Sequence, residues 1–467
     1  MNINPALLRR SAAALVTRAG EYGDLFVETV RQIEVSRDAE GRGAVALGGW
    51  SGIAARRIDV DGGVRHHAQA GIEEDAIAEM PAALRNGGAP GSPSASRSAE
   101  AGSRAGVRRD NGDSRPPGAV VPDPGAATAV ERYLAELEIE SVGGSARAEL
   151  RSQQVVIATS EGEIGEERRD WVAFTMRAVS KGRGGAPVQV VQGGGARDPD
   201  RLRALHPPAD VRERLLRARR EADEAVPSPS GETLVVLGPG PGGILFHEAC
   251  GHALEGDRAL RGRSVFFDLI GETVGPAELT LVDDPTLDGL PGSRRLDDEG
   301  WPATRTVLID AGRVAGLLLD RATALRAGTA PTGSARRESY RDLPLPRMTN
   351  TFVLEGNRTP EEIVESVARG IYIEELGQGQ VDTATADFVF QVRRGSLIAG
   401  GRRVASLAPC VVSGNGVRAL GGLRMIGGDL RFDSGAGECG KEGQRARAAV
   451  GQPTVLIEGL LVRPAGI

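Results

Sequence analysis

Residues 247–252 read His-Glu-Ala-Cys-Gly-His, and no other stretch of the chain limits the fold as tightly. A glutamate between two imidazoles is a residue set that holds a divalent metal and activates a water beside it. In the HExxH arrangement the two histidines stand at i and i+4, about 40° apart around a helix axis. Here they stand at i and i+5, about 140° apart on a regular helix of 3.6 residues per turn. The rings converge only if the backbone departs from that helix, and Gly251 is expected to permit a π-type bulge or a distortion. The chain has five histidines, His66, His67, His206, His247 and His252, so two around one glutamate make an unusual concentration. The competing reading is a helix with two structural histidines, one of them in a last turn favoured by the helix dipole.

At 467 residues the chain is long enough for two or three domains. With 65 glycines and only 3% aromatic residues, it favours turn-rich β structure and tight loops over large aromatic cores. The balance of 57 basic against 63 acidic residues gives a net charge of −6 with no long basic stripe, so no nucleic-acid partner is expected. Three scattered cysteines, Cys250, Cys410 and Cys439, do not make a disulfide framework. The first residues read as an amphipathic helix rather than a leader, and no run approaches ~20 apolar residues. A soluble, reducing, cytoplasmic setting with no membrane contact is the expectation.

Along the chain, residues 25–35 read as a strand and 43–65 as further strands between glycine turns. Residues 86–126 are Gly, Ser, Pro, Ala and Arg with almost nothing to bury, so a disordered insertion is expected there. A helix at 128–138, strands near 146–158 and 171–192, and a charged helix at 209–224 follow, then VPSPSG, a natural boundary. These divide the chain into an N-terminal α/β domain (1–225) and a C-terminal catalytic domain (226–467). In the second part TLVVLG (233–238) reads as a buried strand broken by GPGPGG, with a helix starting near Gly243 that carries the histidine motif. Short β-type runs follow at 278–282, 305–309, 352–354, 387–392, 396–398, 403–406 and 454–463. One helix is expected over 359–370, with Thr359 as N-cap, Pro360 at the first position and Gly370 at the C-cap.

Two imidazoles alone do not complete a zinc site, which takes three protein ligands and a water when catalytic. Cys250, at i+3 from His247, shares its helix face more closely than His252 does, but is also a natural small buried hydrophobe. Cys439 lies in GAGECGKEGQ (435–444), beside Lys441, one of only two lysines in a chain that otherwise uses arginine. A lysine kept against that bias marks a place where a compact point charge is needed, and makes Lys441 a candidate substrate-binding residue. Spacing leaves both cysteines open. Glu248, between the ligands, is the candidate general base and then general acid. In RRESYRDLPLPRMTNT (336–351), Arg336, Arg337 and Arg347 are candidates to anchor carboxylates or a substrate terminus, and Tyr340 to stabilise an oxyanion. The alternative is that these arginines pair with Asp297, Asp298 and Glu299 to fix loops.

The blocks HEACGHALEGD (247–257), DDEGWPATRTVLID (297–310), RRESYRDLPLPRMTNT (336–351), GQGQVDTATADFVF (377–390), GNGVRALGGLRMIGGDL (414–430) and CGKEGQ (439–444) together resemble the TldD branch of the TldD/PmbA metalloprotease family. The resemblance covers residues 231–467. It implies an α+β protein, an N-terminal α/β domain followed by a β-rich, barrel-like catalytic domain. It implies a Zn²⁺ site of HExxxH type on His247, His252 and Cys439, with Glu248 catalytic and Lys441 in the same loop as Cys439. Family members often carry Val at the position of Cys250, which implies that Cys250 is not a ligand. The resemblance also implies substrates that are unstructured peptides or unfolded small proteins. A peptide of that kind can add as a strand to an open sheet edge. A dimer is implied as well, either with a TldE/PmbA-like subunit or of two like chains. Two other functions fit the same composition: a non-catalytic peptide-binding subunit and a metal-dependent amidase acting on small molecules.

Overall fold

The computed structural model describes residues 1, 3–87, 89–90, 124–182 and 187–465. Most of the segment 86–126, expected to be a disordered insertion, lies outside these residues; its flanks close the helix Glu74–Gly87 and open the helix Pro124–Glu136. The architecture is α+β.

The first half of the chain forms a seven-stranded antiparallel sheet in the order Ala89–Pro90, Val64–Ala70, Gly43–Ile58, Tyr22–Arg37, Ser145–Thr159, Ile164–Ser180, Val188–Ala196. Successive side chains of a strand point to opposite faces, and here both faces are covered. Leu25 and Val27 face the helices Pro5–Ala13 and Glu74–Gly87, packing with Leu8, Ile77 and Leu84. Phe26, between them, turns the other way and packs with Ala54, Ile157 and Tyr340. The strand is accordingly buried on both sides as far as Glu28, and beyond it burial alternates, with Val30, Ile33 and Val35 inside and Arg31 exposed. Tyr340 can approach so closely because residue 52 is glycine; a Cβ there would lie 2.3 Å from the tyrosine ring.

The second half carries a closed five-stranded barrel. Gly231–Leu237 pairs in parallel with Arg369–Asp382 and antiparallel with Val455–Pro464, which pairs with Cys410–Asn415, then Asp387–Ala399, and back to Arg369–Asp382. Closure leaves no edge among these strands. Val235, Leu237, Ile371, Phe390, Val412 and Ile457 join one apolar core that also takes in Leu245, Phe246 and Cys250. A smaller sheet lies beside it, containing Leu281–Asp283, Asn350–Val353 and Ala449–Gln452, and a separate hairpin pairs Glu438–Lys441 with Gln444–Arg447.

The expected helix at 359–370 is shorter than its cap pattern predicts. Thr359 and Glu362 do form a reciprocal capping box, but the helix runs Pro360–Glu365 and Gly370 sits inside the strand Arg369–Asp382. That glycine is required by a neighbour rather than by a helix end: a Cβ on it would lie 2.5 Å from the carbonyl oxygen of Leu234 in the adjacent strand. None of the described helices is long and apolar enough to cross a membrane, and all three cysteines are free.

The two halves meet through buried charge. Arg56, on the first sheet, is 2% exposed and pairs with Asp24 of its own sheet and with Glu299 of the second half. Arg169 reaches Asp298 at 2.5 Å and Glu167 at 2.8 Å, and Tyr22 Oη donates to the Glu299 carbonyl at 3.0 Å. Burial disfavours the Asp298 carboxylate, but Arg169 and Arg294 overcome this and hold its pKa down at about 2. Arg56→Met strands two buried carboxylates and is expected to cost about 3–5 kcal/mol in urea unfolding. Because the Asp298 pKa is lower folded than unfolded (about 3.9), its stabilisation is present above about pH 4 and is lost as pH falls towards 2. Unfolding measured across that window should lose about 2 kcal/mol to this group, and Asp298→Asn should flatten that part of the profile.

Candidate metal centre

The strand Gly231–Leu237 ends at Gly238, and a tight turn at Pro241–Gly243 starts the segment that carries the histidines. One short α-turn, Ile244–Phe246, leads into a π-helical turn, His247–Gly251, and a 3₁₀ turn, His252–Leu254. A π-turn bonds i to i+5, so a side chain five residues on returns to nearly the same face. The imidazoles of His247 and His252 accordingly meet edge to face, with centroids 5.1 Å apart. Gly251 keeps ordinary helical angles, φ −58° and ψ −51°, so its role is not conformational freedom. It makes room: a Cβ there would lie 2.0 Å from Met348 Sδ.

Cys439 arrives on the hairpin Glu438–Lys441/Gln444–Arg447, opposite Ala446. The hairpin turns through Glu442 (φ 48°) and Gly443 (φ 78°), two successive left-handed residues, which matches the twist of the flanking strands. The ligand atoms of His247, His252 and Cys439 lie within 4.8 Å of one another, and all three residues are buried. Cys439 Sγ stands 3.3 Å from His252 Nε2. Burial resists ionisation of the Cys439 thiol, yet the two imidazoles push its pKa well below the usual thiol range. Burial likewise resists protonation of His252, and Glu255 and Cys439 together raise its pKa well above the ordinary value. Metal binding takes the thiolate and two neutral imidazoles, so an ion would displace the proton that the metal-free pair of His252 and Cys439 retains; two nitrogens with one sulfur suit Zn²⁺. The donor set therefore fits such an ion.

Cys250, the other candidate thiol, lies fully buried in the barrel core, where burial pushes its pKa up to about 12. Glu248 is the more open member of the motif: its side chain is 31% exposed, with Oε2 3.8 Å from His252 Nε2.

Behind the histidines lies a second layer whose acidic residues the motif alone did not single out. His252 Nδ1 is 2.9 Å from Glu255 Oε2, which orients the ring and leaves Nε2 towards Cys439. Glu255 is fully buried and is paired with Lys441 Nζ at 2.9 Å. Lys441 also donates to Asp257 Oδ1 at 2.6 Å and to the Pro346 carbonyl at 2.7 Å. The ammonium thus spends its contacts internally. The signal for this layer was HALEGD (252–257), with a carboxylate three residues after the second histidine.

The other residues read as substrate contacts are also buried. Arg347 donates to the carbonyls of Cys439 (2.6 Å) and Gln444 (3.2 Å), holding the hairpin. Arg336 donates to the carbonyls of Met348 and Arg447. Arg337 Nη2 donates to the Asp298 carbonyl at 3.2 Å, and its backbone N–H donates to the Asp298 carboxylate at 2.7 Å. Tyr340 packs under the first sheet, and its backbone N–H donates to Glu28 at 2.8 Å.

Residues 230–463 match the family model of the PmbA/TldA metallopeptidase C-terminal domain. A metalloprotease TldD homolog of Buchnera aphidicola is 35% identical over 320 residues, covering 66% of this chain and 65% of the relative. A metalloprotease TldD homolog of Haemophilus influenzae is 41% identical over 238 residues, 51% of this chain and 49% of that one. The chain thus spans less than two thirds of the length of these relatives. Among solved structures, TldE from Thermococcus kodakarensis superposes with a TM-score of 0.72 over 97% of this chain and 98% of its own, at 18% identity, a likeness of fold.

Lys441→Met leaves the buried Glu255 carboxylate with only the His252 imidazole as partner and should destabilise the protein by about 3–5 kcal/mol in denaturant unfolding. Lys441→Arg should not restore the loss, because a planar guanidinium does not match the compact set of acceptors around Nζ.

Proposed function

The chain belongs to the PmbA/TldD metallopeptidase family, and from that premise we propose that it is a zinc-dependent peptidase that hydrolyses unstructured peptides or unfolded small proteins. The observation that carries the reading is the convergence of His247, His252 and Cys439 beside the more exposed carboxylate of Glu248. His247, His252 and Cys439 would hold the ion, which when bound supplies Lewis acidity towards the scissile carbonyl and the attacking water. Glu248 accepts a proton from that water at its carboxylate and returns it to the departing amine. Glu255 fixes the ring of His252, and Lys441 fixes Glu255. Arg347 keeps Cys439 in place through its carbonyl.

The burial of the three donors bears on the substrate. With His247 3%, His252 6% and Cys439 6% exposed, the donors are sunk below the surface, which suits a narrow extended chain better than a folded protein surface. An assembly with a TldE/PmbA-like subunit or with a second copy of this chain belongs to the same proposal, since the fold is shared with TldE. The complete donor set together with Glu248 favours catalysis over a purely peptide-binding role.

Zinc content and chelator-sensitive cleavage of an unfolded peptide test the reading, with and without such a partner. Glu248→Ala should retain zinc and lose hydrolysis; cleavage at the original rate would sink the mechanism. Cys439→Ala should lose the metal by elemental analysis while Cys250→Ala keeps it, and the reverse pattern would move the third ligand to Cys250.

A further inference from the structure

Beside the metal centre lies a cavity of about 680 Å³ with an unbalanced charge. Arg169, Arg294, Arg336 and Arg337 line it together with Glu167 and Asp298, so four largely buried guanidiniums meet two buried carboxylates. Arg169 takes the nearer share of both carboxylates, at 2.8 and 2.5 Å. The other oxygen of Asp298 accepts the backbone N–H of Arg337 at 2.7 Å. Arg337 finds a second, longer partner in Asp24 at 3.7 Å.

Arg294 and Arg336 are left without a close carboxylate. The Arg294 side chain is 6% exposed; its Nε donates to the Gly292 carbonyl at 3.4 Å, while its Nη1 is 4.0 Å from Asp298 and has no hydrogen-bond partner. Arg336 is 3% exposed, hydrogen-bonds to two carbonyls and through Nε to nothing, and feels the buried carboxylates of Asp283 and Asp298 only at longer range. Asp297, close by, directs its oxygens to the backbone N–H groups of Glu299, Trp301 and Ala335, and burial raises its pKa well above the usual range, so it offers little compensation. Burial, then the repulsion of Arg169, lowers the Arg294 pKa to about 10; burial, then Arg294 and Arg347, lowers that of Arg336. Rim arginines differ, since Arg168 and Arg197 each hold a carboxylate of their own. Buried cations compensated only at a distance are costly, and a bound anion relieves the cost.

The cavity reaches the hairpin that carries Cys439, although none of the three donors nor Glu248 lines it. Glu438 and Ala446 line it, and these are the chain neighbour and the hairpin partner of Cys439. We infer that this cavity is a carboxylate subsite, with Arg294 and Arg336 receiving the free C-terminal carboxylate of an extended peptide whose scissile bond lies at Glu248. Guanidiniums suit a carboxylate through paired N–H donors. The assignment rests on the peptidase reading for its substrate, and the test separates the two.

The test measures binding to zinc-loaded Glu248→Gln protein, which does not turn substrate over, using one N-terminally labelled unstructured peptide as its free acid and as its C-terminal amide. The acid should bind about ten-fold or more tightly than the amide, and inorganic phosphate should compete with it. Adding Arg294→Gln should erase the difference, and Arg294→Lys should keep much of it. Equal affinity for acid and amide overturns the subsite without any cavity variant having to fold. A preference that survives Arg294→Gln also overturns it, as does phosphate binding with no acid preference, which would mark a site for free anions. Wild-type cleavage is scored separately. An acid preference in a protein that cleaves nothing overturns the peptidase reading and leaves the subsite standing; cleavage indifferent to the terminus does the reverse.

Discussion

The ammonium of Lys441, buried between Glu255 and Asp257, is the contact on which the architecture of the metal centre depends. It ties a hairpin at 438–447 to a helical segment that ends near 254, almost two hundred residues earlier in the chain. Without it Glu255 would be a charge buried with only an imidazole for company, and the alignment of His252 with Cys439 would lose its backing. Such a cluster is expensive to desolvate and is kept by mutual compensation: burial disfavours the Glu255 carboxylate, while Lys441 and His252 together hold its pKa far below the ordinary value. Positional definition of His252 is what the cluster contributes to chemistry.

A second set of buried charges joins the first sheet to the second half, and the two sets are continuous through the loops at 297–299 and 335–348. Asp298 takes Arg169 from the sheet and the backbone of Arg337 from the loop. Arg336, next in sequence, holds the carbonyls of Met348 and Arg447, and Arg347 holds the hairpin at Cys439. Met348 is also the atom set against which Gly251 packs. Packing between the halves is therefore mechanically connected to both walls of the metal centre, and the arginine cavity lies along the same connection.

Local patterns were legible where local chemistry decides. The cap at Thr359 and the spacing of His247 and His252 translate into structure through contacts within a few residues, and the partly alternating run at 25–35 becomes a strand paired with Gly43–Ile58 and Ser145–Thr159. The i/i+5 spacing demanded a departure from the regular helix, and the backbone takes a π-turn there. The reason for Gly251 was not legible, because it depends on Met348. Gly370 failed as a helix cap for the same kind of reason: Leu234, in another strand, decides that residue. The long strand Arg369–Asp382 was also hidden, since its GQGQ stretch carries little strand propensity and the strand keeps its course through three register shifts by pairing with Asp387–Ala399.

By itself the sequence determined the chemical vocabulary: which residue types are present, how the two histidines are spaced around a glutamate, and that a lysine persists among arginines at 441. Spacing did not choose between Cys250 and Cys439, although the lysine beside Cys439 and the family resemblance favoured the latter, and Arg336, Arg337, Tyr340, Arg347 and Lys441 were left facing either substrate or their own protein. Tertiary structure alone brought Cys439 to the imidazoles, turned Cys250 into the barrel core, and buried the other five in contacts with carboxylates, carbonyls and the first sheet. The physical reason is that ligand identity depends on distances of a few ångströms between residues far apart in the chain. Those distances are set by sheet closure and buried ion pairs, neither of which leaves a local trace in the order of the residues.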